Sequence, residues 1–188
     1  MKSKKSKPSF VESFKSIFEA SPKDVEAAIK KDHEALRNFL KVLKDTDEDM
    51  AKRRRAYALF SDLLKSHSDV EEDVVYLTAQ KLPGREMKIK IAEGYVEHHL
   101  ARDLMKRIDR VRDATTWSAH ANVLSEIVEH HLREEERDLL PLIRKATSIK
   151  TEEKMLAKYV AQRRKTQKRV TAKNSGVLKT SSESRKKI

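Results

Sequence analysis

Residues 60–78 read FSDLLKSHSDVEEDVVYLT. Phe60, Leu63, His67, Glu71, Val74 and Thr78 follow one another at steps of three or four, which is one face of an α-helix. Phe60, Leu63 and Val74 mark that face as the inner one, and His67 and Glu71 break it. Residues i and i+4 of a helix stand about 6 Å apart on the same side, near enough to touch one ion or two adjacent ones. A carboxylate on such a stripe must be matched to a cation or neutralised.

The same arrangement returns near the other end of the chain, where Leu124, Ile127, His131, Glu135, Leu139 and Leu142 line one face. Two further periodic segments lie around these. Val25, Ile29, His33, Leu36, Leu40 and Leu43 follow the helix start Ser21-Pro22-Lys23-Asp24, where Ser can cap and Pro suits the first turn. Met87, Ile91, Tyr95, His98, Met105 and Ile108 follow the break Leu82-Pro83-Gly84. The expected helices cover about 22–44, 50–80, 86–112 and 117–145. Thr46 and Thr115-Thr116 stand as caps, and Pro141 is expected to kink the last turn of the fourth helix. Four long amphipathic segments joined by short polar loops give an all-α fold, an antiparallel four-helix bundle.

Composition supports this and removes alternatives. The 188 residues hold 3 Gly and 4 Pro, too few for an all-β sandwich or barrel with frequent turns. Zero Cys excludes disulfides, thiolate metal sites and cysteine nucleophiles. No apolar run is long enough to span a membrane, and the basic start leads into no apolar signal segment. A cytoplasmic protein is expected.

The formal net charge of +12 belongs to the ends. Residues 1–9 carry +4 and residues 150–188 carry +10, whereas residues 10–149 are close to neutral at −2. Three parts result: a basic, disordered stretch 1–9, the bundle at 10–149, and a basic extension at 150–188. Phe10, Phe14, Ile17 and Phe18 mark a short N-terminal helix. Met155, Leu156, Tyr159 and Val160 mark a fifth, peripheral helix, and the chain beyond about Arg169 reads as a disordered tail.

Every long helix thus places a histidine where a Leu or Ile belongs: His33, His67, His98 and His131. One inward histidine is commonly a satisfied core residue. Four of them in one bundle, two with a glutamate one turn on, point to a shared metal site, because inward His and Glu from facing helices build carboxylate-bridged dimetal centres. Spacing alone does not choose between His98 and His99. Nor does it choose between His131 and His130, since Glu134 follows His130 as Glu135 follows His131. His120 lies about 16 Å along the axis from His131 and is too far to join them. Each ligating imidazole needs a carboxylate or carbonyl for its other N–H. Asp32, Glu97 and Glu134 are at hand, but spacing does not assign them.

Lys31-Asp32-His33, His67 to Glu71 with Glu72 and Tyr76, Glu97-His98-His99, and His131 to Glu135-Glu136 followed by Leu140-Pro141 together resemble the hemerythrin-like, HHE cation-binding family. The resemblance covers about residues 22–145. It implies a four-helix bundle holding two iron ions bridged by carboxylate and an oxo or hydroxo species. By position the implied ligands are His33, His67, Glu71, His98, His131 and Glu135. The family's proline spacing selects His131, and its Glu-His pair selects His98. Iron is preferred over manganese or zinc on ligand type, since the cage mixes imidazole and carboxylate and has no thiolate.

One departure from the oxygen-carrying members stands out. Gly94 and Arg102 occupy the places, one turn either side of His98, where a second histidine of that helix would be. That disfavours reversible oxygen carriage. The expected roles are iron or oxygen sensing, iron handling, or scavenging of peroxide or nitric oxide, so the partners are O2, H2O2 or NO. An enzyme turning over peroxide or nitric oxide is the alternative. A second alternative is a nucleic-acid-associated module using basic ends such as Arg163-Arg164-Lys165 and Lys168-Arg169. Tyr95, one turn from His98, supplies either an oxygen ligand or packing. The chain is read as a monomer or dimer.

Overall fold

The computed structural model describes residues 22–165. The readings for residues 1–9, for Phe10 to Phe18, for Ser21 and for the tail beyond Arg169 lie outside them. Helix α1 spans Val25–Lys44, α2 begins as Met50–Val70, α3 spans Arg85–Ile108, and α4 begins as Ala114–Glu134. A fifth helix, α5, occupies 149–165. The described residues contain no strand. Connections of a few residues force consecutive helices to run antiparallel, and α1 packs on both α2 and α4 while α3 packs on α4 and, more lightly, α2. No helix among the described residues is long and apolar enough to cross a membrane.

The starts of α1, α2 and α4 are capped by aspartates; for α2 and α4 the expected caps were Thr46 and Thr115-Thr116. Asp24 accepts from the Ala27 amide at 2.6 Å, Asp49 from Lys52 at 3.0 Å, and Asp113 from Thr116 at 2.6 Å. An ionised carboxylate meets both the unpaired amides and the positive end of the dipole, so it outcompetes the neighbouring hydroxyls. Helix α3 starts at Gly84, whose φ of 127° lies where side chains are strained.

Helices α2 and α4 each widen into a π-helical turn at one place. In α2 it covers Glu71–Tyr76 before Leu77–Ala79, and in α4 it covers Glu135–Leu139 before Leu140–Ala146. A π turn inserts one residue and rotates the helix downstream of it. The inward stripe therefore slips: Ala79 is buried in place of the expected Thr78, and Ile143 in place of Leu142. Around Pro141, where a kink was expected, the helix widens just upstream. The matching π turn of α2 forms with no proline near it, so Pro141 is not what the two turns have in common.

Two apolar clusters fill the bundle. One holds Leu36, Leu40, Phe60, Leu63, Trp117 and Leu124 among others; the second holds Ile29, Val74, Ile91, Leu139 and Ile143, and it includes Met155 and Tyr159 of α5. The expected peripheral helix is therefore an integral one. Met155 is 2% exposed and Tyr159 1%, because α5 packs its inner side chains into the second cluster.

Arg53 ties the far end. It is 2% exposed, donates from Nε and Nη2 to the Leu43 carbonyl at 3.1 and 2.6 Å and from Nη1 to Ser118 Oγ at 2.8 Å, and lies 5.3 Å from the Trp117 ring centroid. One side chain thus joins the end of α1 and the starts of α2 and α4. Arg53→Met should fill similar space but leave the Leu43 carbonyl unpaired, lowering unfolding free energy by about 2 kcal/mol. Denaturant melts with an unchanged slope would read that loss.

Candidate metal centre

His33, His67, His98 and His131 lie at one level of the bundle, between the two apolar clusters, and each is 0–2% exposed. Their Nε2 atoms point inward toward Glu71 and Glu135, which are also buried. His33, His67, Glu71 and Glu135 offer ligand atoms all within 4.8 Å of one another, and so do Glu71, His98 and His131. Glu71 belongs to both groups. Glu135 Oε2 likewise reaches His33 Nε2 at 3.3 Å and His131 Nε2 at 3.6 Å. The cavity is thus two imidazole pairs with two carboxylates between them.

The inner atoms are not satisfied by one another. Glu71 Oε1 and Oε2, Glu135 Oε2, His33 Nε2 and His67 Nε2 are all buried without a hydrogen-bond partner. His98 Nε2 and His131 Nε2 face each other at 3.0 Å, a contact that needs a proton or a cation between two lone pairs. Buried polar atoms are nearly always paired, so five orphans facing one another make a group that could hold a cation.

Outside this cavity three of the rings are held by acids of neighbouring helices, and the fourth has an acid close by. Glu136 of α4 accepts from His33 Nδ1 of α1 at 2.8 Å, Glu72 of α2 from His98 Nδ1 of α3 at 2.8 Å, and Glu97 of α3 from His131 Nδ1 of α4 at 2.8 Å. Asp32 of α1 stands 3.7 Å from His67 Nδ1 of α2. Each helix thus places an acid beside the histidine of a neighbour, a circuit right round the bundle. Since a carboxylate only accepts, the rings of His33, His98 and His131 carry a proton at Nδ1 and turn Nε2 to the cavity. Guanidiniums fix three of the four acids: Arg37 on Glu136 at 2.8 Å, Arg102 on Glu72, and Arg163 on Asp32.

The π turns make this possible. They begin at Glu71 and Glu135, and in each the first glutamate faces the cavity while the second, Glu72 or Glu136, reaches sideways to a ring on another helix. Glu72 and Glu136 were not read from the sequence as supports. The signal was present as the Glu-Glu doublet that follows both His-x-x-x segments. Of the acids considered, Asp32 and Glu97 join the circuit, and Glu134 instead pairs with Lys90 at 3.2 Å.

The remaining candidates fall outside the cavity. His99 is exposed with Nδ1 on the Tyr95 carbonyl, His130 is exposed beside Glu134 and Glu97, and His120 is bonded to the Thr116 carbonyl. Tyr95 packs edge-on against Tyr76, ring centroids 5.2 Å apart. Tyr76 lies against the site: it is fully buried, stacked on His98 at 5.7 Å, and donates its hydroxyl to Glu135. It occupies the space that Gly94 leaves, for a Cβ at residue 94 would sit 2.5 Å from the Tyr76 hydroxyl oxygen. Arg102, on the other side of His98, is committed to Glu72.

Without a cation the cluster shares protons. Burial alone would discharge His98, yet Glu71 and Glu72 hold its pKa up at about 9. Burial likewise opposes charge on His33, but Glu135, Glu136 and Glu71 raise it well above its usual value. Burial would push Glu136 up, and the hydrogen bonds of His33 and Arg37 bring it down to about 2. Glu71 is held well below its usual value by His67, His33 and His98 against the same burial.

These shifts set the sign of the pH dependence. Glu136 contributes stability above its ordinary pKa of 4.5, lost as pH falls through about 2; His98 contributes below 6.5, lost as pH rises through about 9. Metal-free protein should melt highest at about pH 5–6 and progressively lower toward pH 9. Thermal melts in chelator across that range would show a flat profile if the cluster were not proton-coupled.

Gly94→Ala should force Tyr76 off Glu135 and His98. Overpacking of this kind costs about 1–3 kcal/mol, and a near-ultraviolet difference in tyrosine signal alongside a lower melting temperature would register it.

Among known families, the model of the hemerythrin HHE cation binding domain matches residues 24–143. Neither the curated proteins nor the solved structures yield a match. The matched span runs from the cap of α1 to the last buried residue of α4 and contains the six inward side chains and the acids that back them. Tyr159 and Arg163 lie beyond it. The chain belongs to the hemerythrin HHE cation-binding family.

Proposed function

We propose that the chain is a non-haem protein holding two iron ions in the mid-bundle cavity, with His33, His67, His98 and His131 as terminal ligands and Glu71 and Glu135 shared between the ions. The observation that carries this reading is the set of five buried, unpartnered ligand atoms facing one another. The donor set suits iron. It mixes imidazole and carboxylate in two overlapping groups, whereas structural zinc favours one closed tetrahedral set, often with thiolates.

Iron so bound supplies a redox-active Lewis acid for small oxygen or nitrogen species. The chain's own residues hold the rings by their Nδ1 protons, keep both glutamates ionised and seal the level above and below with apolar side chains. With Gly94 and Arg102 where a further histidine would be, each half of the cavity offers two imidazoles. Iron held by so few nitrogen donors would have room for O2, H2O2, NO or a substitute oxygen donor, which favours sensing, iron handling or scavenging over oxygen carriage. Enzymatic turnover of peroxide or nitric oxide at the same site is the second reading, favoured on the same ground. A cytoplasmic setting belongs to this reading.

The nucleic-acid alternative loses one of its residues. Arg163 is buried on Asp32 and does not present its charge to phosphate, and Lys168-Arg169 lie outside the described residues.

Metal analysis with an optical spectrum of the aerobically purified protein tests the proposal. Two irons per chain are expected. His67→Ala and His131→Ala should each lower bound iron, and His120→Ala should leave it unchanged. Equal iron in all three would contradict the assignment.

A further inference from the structure

Three of the four histidines have a carboxylate 2.8 Å from Nδ1, and the fourth does not. His67 Nδ1 is 3.7 Å from Asp32 Oδ2, and the hydroxyl of Tyr159 stands at this junction. It donates to Asp32 Oδ2 at 2.7 Å and lies 3.4 Å from His67 Nδ1. The other oxygen of Asp32 takes Arg163, whose second terminal nitrogen donates to Ser66 Oγ, one residue before His67, at 3.3 Å. Arg37 and Arg102 anchor the equivalent acids from within the bundle, whereas Arg163 comes from α5, beyond the matched family span.

From this arrangement we infer that Tyr159 and Arg163 of α5 are positioning residues of the metal centre, which with Asp32 hold His67 so that its Nε2 faces Glu71. The inference rests on the proposed metal-binding reading and extends it to a helix outside the four-helix unit. Tyr159 is 1% and Arg163 5% exposed. A buried guanidinium is tolerable only with its charge partner, so α5 docks in the register that sets Arg163 on Asp32. That register brings Tyr159, one turn earlier, beside His67. Tyr159 can then accept from His67 Nδ1–H while its own O–H is spent on Asp32, which leaves the Nε2 lone pair for the cavity. The chain thereby completes its circuit of acids with an oxygen and a charge taken from α5.

The test uses the full-length chain. Tyr159→Phe keeps the ring in its apolar cluster and deletes one oxygen; Met155→Leu, one turn away on the same helix, alters packing only. Melting of the metal-free Tyr159→Phe protein should stay close to that of the parent. Its affinity for ferrous iron, measured by chelator competition, should fall about tenfold, as for loss of a group that orients a metal-bound imidazole. Met155→Leu should not change that affinity. Histidine nitrogen-15 spectra of the metal-free parent should show His67 protonated at Nδ1, and Tyr159→Phe should shift it toward the other tautomer. Parent-like affinity and an unmoved His67 tautomer in Tyr159→Phe would overturn the inference while leaving the centre intact. If the parent itself takes up no iron, the metal reading fails, and the His67 spectrum alone decides whether Tyr159 positions the ring.

Discussion

Glu71 lies fully buried within ion-pair distance of three imidazole nitrogens, yet in hydrogen-bonding geometry with none. Taking a carboxylate out of water costs several kcal/mol unless a positive charge replaces the lost hydration. Everything else at this level of the bundle is arranged around that debt of charge. The imidazoles approach from both sides, the second carboxylate lies opposite, and the acids behind the rings fix which nitrogen faces in. Protons can fill the role in the metal-free chain. A metal fills it better, because it satisfies several lone pairs at once and lets the rings be neutral.

The support is cyclic rather than radial. Acids on α2, α3 and α4 each bond the histidine of the next helix round, and Asp32 of α1 reaches His67 through Tyr159, so rotation of any helix disturbs the seat of another's ring. Apolar packing above and below fixes the level of the helices, and the circuit fixes their rotation. Rigid rings are what a metal site requires, since a shift of a fraction of an ångström in a ligand nitrogen is a large part of a coordination bond.

Much of this was legible in the sequence, and the parts that were not have two causes. The bundle, the four histidines and the His-x-x-x-Glu pairs follow from a period of 3.6, which His33, His67, His98 and His131 obey together. Thr78 and Leu142 were placed inward because that period was carried through Glu71–Tyr76 and Glu135–Leu139, where the chain abandons it. Glu72 and Glu136 were named only within the family-like motifs, and their reach to rings on other helices was missed for the same reason. The burial of Tyr159 and Arg163 escaped because their partner, Asp32, lies more than a hundred residues away, and no local spacing encodes so distant a pair. Charge counting placed Arg163 with the basic tail, whereas its tertiary contacts place it with the site.

The two π turns also bear on how this architecture could change. Each is a one-residue surplus in an otherwise regular helix. Removing that residue would restore ordinary α-helical hydrogen bonding and so improve the helix taken alone. It would also turn everything downstream by about 100° about the axis, carrying Ile143 or Ala79 out of the core. The surplus residue is therefore trapped: the backbone is locally worse with it, and the molecule has no single-step route to losing it.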